Sequence, residues 1–316
     1  MAELATVIGG SGFIGRYVVQ ELARAGWRVR VACRTPQRAG FLRPLGEVGQ
    51  IQLIAADLTR PETLPPAVAG AAAVINLPGI LAPSGRQSFE AVHAEGAGHA
   101  AAAAAAAGAL AFVHVSAIGA DPASASAYGR SKAEGERRVR AAFPGATILR
   151  PSLVFGPEDG FLNRFAALAR MAPVMPVIEG DSRFQPVWVV DVARAIAMAA
   201  ADPARFGGKT FELGGPNIYS FREILAFVAE QTHHRRPMLE VPRLAARLMA
   251  AAGDLLPVAP LTSDQLAMLG RDNVVSSDAL GFEAFDITPT PMEAIAPAYL
   301  ERYRRFGRFA RPARPA

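Results

Sequence analysis

Tyr128 and Lys132 form the residue pair whose types and spacing are best suited to chemistry. They lie four positions apart in a segment that leads into a predicted helix over 133–142, and residues four apart share one helical face. A tyrosine hydroxyl titrates near pH 10, so it needs a neighbouring cation to exchange a proton near neutrality. With five tyrosines and two lysines in 316 residues, chance would supply this pairing roughly three times in a hundred. The pair is therefore a candidate for acid–base chemistry.

A glycine-rich turn near the start of the chain could bind the phosphates of a nucleotide. The apolar run 4–8 predicts a buried strand, and from Phe13 onward the apolar residues take helical spacing. A strand, a glycine turn and a helix are the context that a dinucleotide-binding loop requires, which sets it apart from an ordinary glycine-rich turn. Gly9 would allow the sharp turn, Gly12 the approach of a pyrophosphate, and Gly15 the close packing of helix on strand. The pyrophosphate would accept hydrogen bonds from the unpaired N–H groups at the helix start. The residues assigned to this loop are Gly9, Ser11, Gly12, Phe13, Ile14, Gly15 and Arg16.

Arg34 follows the second predicted strand, residues 28–33, at the position where an NAD-preferring site carries an acid for the ribose 2′-hydroxyl. An arginine there repels no phosphate and can hold one in a fork geometry, and Arg16 at the helix start could join it. The position therefore favours NADP(H) over NAD(H). A solvated loop charge is the alternative.

The elements that must position these residues alternate between strand and helix. Strands are expected over 4–8, 28–33, 51–55, 73–77, 110–116 and 146–150, with a long alanine-rich helix over 89–107. The pattern predicts an α/β fold, a Rossmann-type doubly wound parallel sheet that binds ligands at the carboxyl ends of its strands. Asp57 and Leu58 follow the third strand and Asn76 lies at the end of the fourth, so all three are candidate nucleotide contacts. Local turn hydrogen bonds would explain Asp57 and Asn76 equally well.

The strict alternation ends near residue 155, which predicts two parts. We expect a dinucleotide-binding domain over 1–155, to which the chain returns near 182–215. The remainder, 156–316, is expected to form a smaller, mainly helical C-terminal lobe with a basic tail.

Composition excludes several classes of protein. A hydrophobic fraction of 51% and a charged fraction of 19% are typical of a packed globular chain. The longest apolar stretch, 100–113, is too short to span a bilayer. Because the first predicted strand starts within four residues of Met1, we expect no signal peptide. The single cysteine, Cys33, excludes an internal disulfide and gives no zinc spacing. His93 and His99 have no partner at the spacing of a metal site, so we expect them to be packing or surface histidines.

The net charge of +5 is concentrated at the C-terminus. A basic average is compatible with nucleic-acid binding, but no basic helix or aromatic platform supports that function. The basic tail is instead a candidate for contact with a partner or a membrane surface, with a solvated, frayed end as the alternative. Its arginines are Arg302, Arg304, Arg305, Arg308, Arg311 and Arg314.

The strand order, the glycine loop and the tyrosine–lysine pair together resemble the extended short-chain dehydrogenase/reductase superfamily. The resemblance implies that Tyr128 donates or accepts a proton, and that Lys132 lowers the pKa of Tyr128 and holds the nicotinamide ribose. It also implies that Ser116, at the end of the fifth strand, orients a substrate oxygen. Pro151 begins a segment that, by the same resemblance, runs past the nicotinamide.

Several segments look like one branch of that superfamily, the alpha-subcomplex subunit nine family of respiratory complex I, in a bacterial form. They are residues 10–17, 115–121 and 143–165, within a resemblance that covers about 4–230. It implies NADP(H) held for structure, assembly or sensing without turnover, and partners in the hydrophilic arm of complex I. It also implies a peripheral location on the cytoplasmic face of the bacterial inner membrane.

Two other functions stay open. One is a free-standing NADP(H)-dependent reductase, epimerase or dehydratase that uses Ser116, Tyr128 and Lys132. The other is a soluble redox sensor that binds NADPH and regulates a partner.

Overall fold

The structure, a computed structural model, describes residues 2–254 and 261–309. The chain forms two compact units. The first comprises Met1–Ser152, Val189–Leu213 and Val275–Thr288, and the second comprises Leu153–Trp188, Gly214–Val274 and Pro289–Ala316.

The strands in chain order are β1 (Leu4–Ile8), β2 (Arg28–Cys33), β3 (Ile51–Ala55), β4 (Ala73–Asn76), β5 (Ala111–Val115), β6 (Thr147–Pro151), β7 (Val154–Phe155), β8 (Met175–Val177), β9 (Arg183–Phe184), β10 (Val187–Trp188), β11 (Thr210–Leu213), β12 (Tyr219–Ser220) and β13 (Met238–Glu240). The α-helices are α1 (Phe13–Arg24), α2 (Leu64–Val68), α3 (Gly96–Ala106), α4 (Ala127–Ala142), α5 (Leu162–Met171), α6 (Val189–Ala201), α7 (Pro203–Phe206), α8 (Phe221–Gln231), α9 (Arg243–Gly253), α10 (Ser263–Leu269) and α11 (Met292–Leu300). Short 3₁₀ segments cover Pro36–Leu45, Pro61–Thr63, Phe282–Phe285, Glu301–Tyr303 and Gly307–Phe309, and a π-helical turn covers Glu90–Glu95.

Seven strands form the sheet of the first unit, in the order β11-β6-β5-β4-β1-β2-β3, and every neighbouring pair is parallel. The direction of winding reverses between β1 and β4, which is where Rossmann-type sheets bind dinucleotides. The predicted doubly wound parallel sheet is confirmed.

Helices cover both faces of this sheet, so most residues of its central strands are buried. On one face α1 packs against α6. On the other, α2, α3 and α4 pack on Ile8, Val74, Phe112 and Ile148 of the strands. The alanines that α3 turns toward the sheet are fully buried, so this low-complexity helix packs tightly.

Two helices differ from the prediction. The segment 89–107 is not one α-helix, because the π-helical turn precedes α3. Helix α4 begins at Ala127 instead of 133, since the hydroxyl oxygen of Ser126 caps it by accepting a hydrogen bond from the N–H of Gly129 (3.3 Å). Tyr128 and Lys132 therefore both lie within the helix.

Asp159 organises part of the second unit. Its carboxylate accepts hydrogen bonds from the N–H groups of Gly156, Phe161 and Asn163 and from the hydroxyl of Tyr299 (2.9 Å). The buried core around it contains side chains of α5, α8 and α11. Helix α8 begins with a capping box, in which the side chains of Ser220 and Glu223 each accept a hydrogen bond from the other residue's N–H.

Part of the basic C-terminus is bound within the second unit. The Arg302 guanidinium donates to the carbonyl oxygen of Pro157 (2.7 Å), and Arg304 donates to that of Gln231 (2.8 Å). These two arginines are therefore not the freely solvated charges of a frayed end. The side chain of Arg308, and all of Arg311 and Arg314, lie outside the described residues.

No helix within residues 2–254 and 261–309 is both long and apolar enough to cross a bilayer.

Candidate functional site

The glycine loop leaves β1 through a left-handed residue and enters α1 at close range. Gly9 has a φ of +79°, which favours glycine, and its N–H donates to the carbonyl oxygen of Ala32 (2.9 Å). A Cβ at Gly15 would lie 2.4 Å from the Gly9 carbonyl oxygen, so only glycine allows the helix this approach. The backbone geometry thus needs glycine at both positions.

Gly12 differs from these two glycines. It is exposed, its φ is an ordinary −78°, and the only described atom within 4 Å of a Cβ built on it would be the Gly9 carbonyl oxygen at 3.2 Å. A side chain here would require the Gly9 carbonyl oxygen to shift by only a few tenths of an ångström, whereas one at Gly15 would overlap the backbone. No side chain caps the start of α1, which leaves its first N–H groups for an anion. These features fit a pyrophosphate.

Arg34 lies just beyond the carboxyl end of β2, beside the strand that leads into the glycine loop. It is exposed and forms no hydrogen bond or ion pair with the rest of the described chain. Arg16 has its guanidinium 5.1 Å from the ring centroid of Phe41, and its Nε is 3.4 Å from the carbonyl oxygen of Gly12. The guanidinium N–H groups of Arg34 are therefore available to donate to a phosphate.

Of the other predicted nucleotide contacts, Asp57 and Leu58 are engaged in local structure. The Asp57 carboxylate accepts hydrogen bonds from the N–H and the hydroxyl of Thr59, both at 2.9 Å, which is the turn role considered from the sequence. Leu58 is buried against Gly96, where a Cβ would lie 2.7 Å from the Leu58 Cβ. Asn76 is buried, and its Nδ2 lies 3.1 Å from Nδ1 of His114 on the neighbouring strand, but its Oδ1 has no hydrogen-bond partner among the described residues.

The structure brings Lys132 to the end of β5, where Ser116 lies. The Lys132 ammonium donates to the carbonyl oxygen of Val115 (3.3 Å) and sits 5.8 Å from the ring centroid of Tyr128. Ser116 is 3% exposed, and its hydroxyl has no hydrogen-bond partner among the described residues. Pro151 ends β6, where its carbonyl oxygen accepts the N–H of Ile118 (3.2 Å).

Burial shifts the pKa values of the tyrosine–lysine pair in opposite directions. It raises the pKa of Tyr128 to about 12, whereas the superfamily role requires a lowered value. Burial also lowers the pKa of Lys132 to about 8, opposed by the carboxylate of Glu136. The Tyr128 hydroxyl therefore keeps its proton at neutral pH, so it is suited to donating a hydrogen bond or a proton rather than to acting as a base.

His93 is the residue that sequence reasoning missed. Its Nε2 accepts a hydrogen bond from the N–H of Ile80 (2.9 Å), and its Nδ1 lies 2.9 Å from the hydroxyl oxygen of Ser131, which in turn donates to the carbonyl oxygen of Tyr128 (2.8 Å). Because a backbone N–H can only donate, these contacts assign the ring proton to Nδ1. The imidazole also packs edge-to-face against Tyr128, with ring centroids 5.2 Å apart. The sequence predicted only a packing or surface histidine here.

Comparison with known proteins places this architecture among nucleotide-dependent enzymes and their relatives. A model of the NAD dependent epimerase/dehydratase family matches residues 5–214. The chain is 34% identical over 317 residues to the mitochondrial NADH dehydrogenase [ubiquinone] 1 alpha subcomplex subunit 9 of Arabidopsis thaliana, covering 96% of this chain and 79% of that protein. It is 36% identical over 200 residues to the ceramide reductase of Caulobacter vibrioides, covering 63% of this chain and 62% of that one.

Among solved structures, the NADPH-dependent quinone oxidoreductase of Escherichia coli in complex with NADPH has a TM-score of 0.71 at 20% identity, and the match covers 92% of this chain and 98% of that one. At this identity the likeness is one of fold.

The two buried histidines of the site should make the protein less stable in mild acid. Burial, followed by the nearby positive charges, lowers the pKa of His93 to about 2 and the pKa of His114 to about 3 from a usual 6.5. Below about pH 6.5 the unfolded chain therefore binds more protons than the folded one, so the free energy of unfolding falls as the pH falls. Each ring contributes up to about 1.4 kcal/mol per pH unit.

Denaturant unfolding from neutral pH down to about pH 5 measures this slope. Glutamine cannot titrate, so His114→Gln should reduce the pH dependence of the free energy of unfolding by the contribution of one imidazole. An identical slope in the variant would contradict a buried neutral His114.

Proposed function

This chain belongs to the NAD dependent epimerase/dehydratase family, in the branch of the alpha subcomplex subunit 9 proteins, and we propose from this premise that it is an NADP(H)-binding accessory subunit of respiratory complex I. The observation that carries the proposal is the extent of the match. Similarity to subunit 9 covers 96% of the chain, so it continues beyond residue 214, where the match to the general family ends. The partners would be subunits of the hydrophilic arm, on the cytoplasmic face of the bacterial inner membrane.

The nucleotide is NADP(H) in this proposal, held by groups of the first unit. The glycine loop and the free N–H groups of α1 would bind the pyrophosphate, Arg34 the 2′-phosphate with Arg16 beside it, and Tyr128 and Lys132 the nicotinamide ribose. The guanidinium of Arg34 is exposed and forms no ion pair with the described residues, so it is available for a 2′-phosphate. This supports NADP(H) over NAD(H).

Reversal of the charge at Arg34 tests this assignment. Arg34→Asp removes the donors and adds repulsion, and charged hydrogen bonds contribute about 1.5–3 kcal/mol each, so NADPH should bind at least about tenfold more weakly. NADH, which lacks the 2′-phosphate, should bind at least as tightly as it does to the wild-type protein, because an acid at this position can accept a hydrogen bond from the ribose 2′-hydroxyl. The matched control is Arg28→Asp, a reversal at the exposed amino end of the same strand, which should change neither affinity. Titration of both nucleotides onto purified protein gives the result, and an unchanged NADPH affinity in Arg34→Asp would remove Arg34 from the site.

A role in which the nucleotide is held without turnover agrees with the electrostatics of Tyr128 and Lys132. The Tyr128 hydroxyl keeps its proton, and Lys132 is bound to the chain at Val115, so both can serve as fixed hydrogen-bonding groups for a ribose. The second candidate function is a free-standing reductase. It is favoured by the buried, unpaired hydroxyl of Ser116, which could bind a substrate carbonyl, and by the similarity to a ceramide reductase.

Variants introduced into the host strain separate these two functions. Gly12→Val places a branched side chain where the pyrophosphate would lie, at an exposed position whose φ any residue can adopt. If the bound nucleotide stabilises the subunit by mass action, Gly12→Val and Arg34→Asp should lower the amount of assembled complex I in the membranes. Tyr128→Phe removes one hydroxyl and should leave both complex I content and NADH:quinone activity near wild type. Normal complex I content in the Gly12→Val and Arg34→Asp strains would contradict the accessory-subunit role and favour the free-standing reductase. Normal assembly with collapsed activity in the Tyr128→Phe strain would contradict holding without turnover.

Peripheral contact with the membrane is the finer part of the proposal, and α9 supports it. The buried residues of this helix are alanines and a glycine, whereas Leu244, Leu248 and Met249 are 71%, 66% and 46% exposed. Arg247 is exposed beside them, and the helix contains no acidic residue. Arginines next to an outward apolar face are typical of helices that lie in the interface of an anionic bilayer.

The basic C-terminus is a second support. Phe306 and Phe309 are 65% and 79% exposed, and the guanidinium of Arg305 lies 5.4 Å from the ring centroid of Phe306. Aromatic rings and arginines both favour the headgroup region of a membrane.

Vesicle binding tests the contact. The purified full chain should co-sediment with vesicles rich in phosphatidylglycerol and not with pure phosphatidylcholine, and binding should weaken as salt rises. Leu248→Glu, which puts a charge into the apolar face, should lower the partition coefficient by tenfold or more, because burial of a leucine side chain contributes about 1.5–3 kcal/mol and a factor of ten corresponds to about 1.4 kcal/mol. Leu110→Glu is the matched control, because Leu110 is equally exposed (69%) but lies in the first unit. Equal losses in the two variants would contradict docking through α9.

A further inference from the structure

His93 joins two segments that carry different ends of the candidate nucleotide site. On one side its Nε2 accepts the N–H of Ile80 (2.9 Å), at the end of the segment that follows β4. On the other side its Nδ1 meets the hydroxyl of Ser131, which donates to the carbonyl oxygen of Tyr128 in the first turn of α4. One buried imidazole, 1% exposed, therefore fixes a loop and a helix start together.

The segment 77–80 contacts the glycine loop. The N–H of Leu77 donates to the carbonyl oxygen of Ile8 (3.1 Å), at the end of β1. The next residue, Pro78, lies so close to the loop that a Cβ at Gly9 would be 3.0 Å from its Cγ. The first half of the segment is therefore seated on the turn assigned to the pyrophosphate.

The second half of the segment contacts Lys132. A Cβ at Gly79 would lie 3.4 Å from the Lys132 Nζ and 3.8 Å from the His93 Nε2. With Ile80 tethered to His93, Gly79 is held over the ammonium group assigned to the nicotinamide ribose. The segment thus spans the distance between the two halves of the site, and the imidazole holds its far end.

We propose that His93 is a positioning residue of the nucleotide site, which fixes the segment 77–80 against Lys132 so that the pyrophosphate and ribose ends form as one unit. The inference rests on the proposed NADP(H) binding. It predicts that loss of His93 weakens a complete dinucleotide, which needs both ends, and spares a ligand that occupies only the adenosine half. The π-helical turn that carries His93 agrees with this role, since such turns are frequent at functional sites.

Three substitutions separate the two hydrogen bonds. In His93→Gln the side-chain oxygen can take the place of Nε2 and accept from Ile80. In His93→Asn the side-chain amide can take the place of Nδ1 and donate to Ser131, but nothing reaches Ile80. His93→Leu removes both bonds. His99→Leu is the control, an exposed histidine on the neighbouring helix α3.

The measurements are dissociation constants for NADPH and for 2′,5′-ADP, with amide hydrogen exchange over 77–80 in the ligand-free protein. We expect His93→Asn and His93→Leu to weaken NADPH at least tenfold, to change 2′,5′-ADP less than threefold, and to speed exchange at the Ile80 amide tenfold or more. His93→Gln should recover most of the NADPH affinity and the protection of Ile80. His99→Leu should match the wild type in all three.

The outcomes separate this inference from the function on which it rests. If the His93 variants lose affinity for NADPH and for 2′,5′-ADP equally, His93 has only a structural role and the inference is overturned. An unchanged NADPH affinity in His93→Asn would overturn it as well. If His93→Leu does not fold, His93→Asn and His93→Gln still decide, because each keeps one hydrogen bond. A wild-type protein that binds neither ligand would remove the proposed function itself, and unchanged exchange at Ile80 in His93→Asn would then overturn the positioning role without any nucleotide.

Discussion

Burial of the Lys132 ammonium group is the constraint on which the candidate site depends. A charge taken out of water costs several kcal/mol unless hydrogen bonds and opposite charge offset it. Lys132 is 3% exposed, and the groups that offset its burial are the carbonyl of Val115 at the end of β5 and the carboxylate of Glu136 one turn along α4. Glu136 is held in turn by Arg150 of β6 through two hydrogen bonds of 2.7 and 2.8 Å. The position of Lys132 is therefore set by a row of charged side chains, Lys132, Glu136 and Arg150, which connects α4 to β6 of the sheet.

Close backbone contacts bring the helices near enough for these bonds to form. A Cβ at Gly135 would lie 2.0 Å from the carbonyl oxygen of His93, so α4 can touch the π-helical turn only through glycine. Gly15 allows the same approach of α1 to the glycine loop. Both glycines lie inside helices, where they cost roughly 1 kcal/mol relative to alanine. In each case that cost is offset by a backbone contact that sets where a phosphate or a ribose could bind.

The sequence predicted well whatever depends on local pattern. Strands over 4–8, 28–33 and 51–55 were predicted with their observed bounds, because each is a short segment rich in apolar residues that lies between glycine or polar turns. The contacts of His93 could not be predicted, since its hydrogen-bond partners lie 13 and 38 residues away and a helical pattern carries no sign of them. For the same reason a basic tail gave no sign that Arg302 reaches the carbonyl of Pro157, 145 residues earlier.

The residues that would hold a nucleotide and those that would turn it over overlap without being identical. Binding needs only contacts that are as strong in the ground state as in the transition state. Gly12, Arg34 and Lys132 can provide such contacts to a dinucleotide that does not react. Catalysis needs contacts that strengthen in the transition state, and such contacts would come from the hydroxyls of Ser116 and Tyr128 at a substrate oxygen. A tyrosine whose proton is held by burial can still donate a hydrogen bond to a ribose, so its presence is compatible with both functions. The hydroxyl of Ser116 is buried and has no hydrogen-bond partner among the described residues, so no contact within the first unit depends on it. If the protein only holds its nucleotide, Ser116 is therefore the residue whose loss should be tolerated most easily.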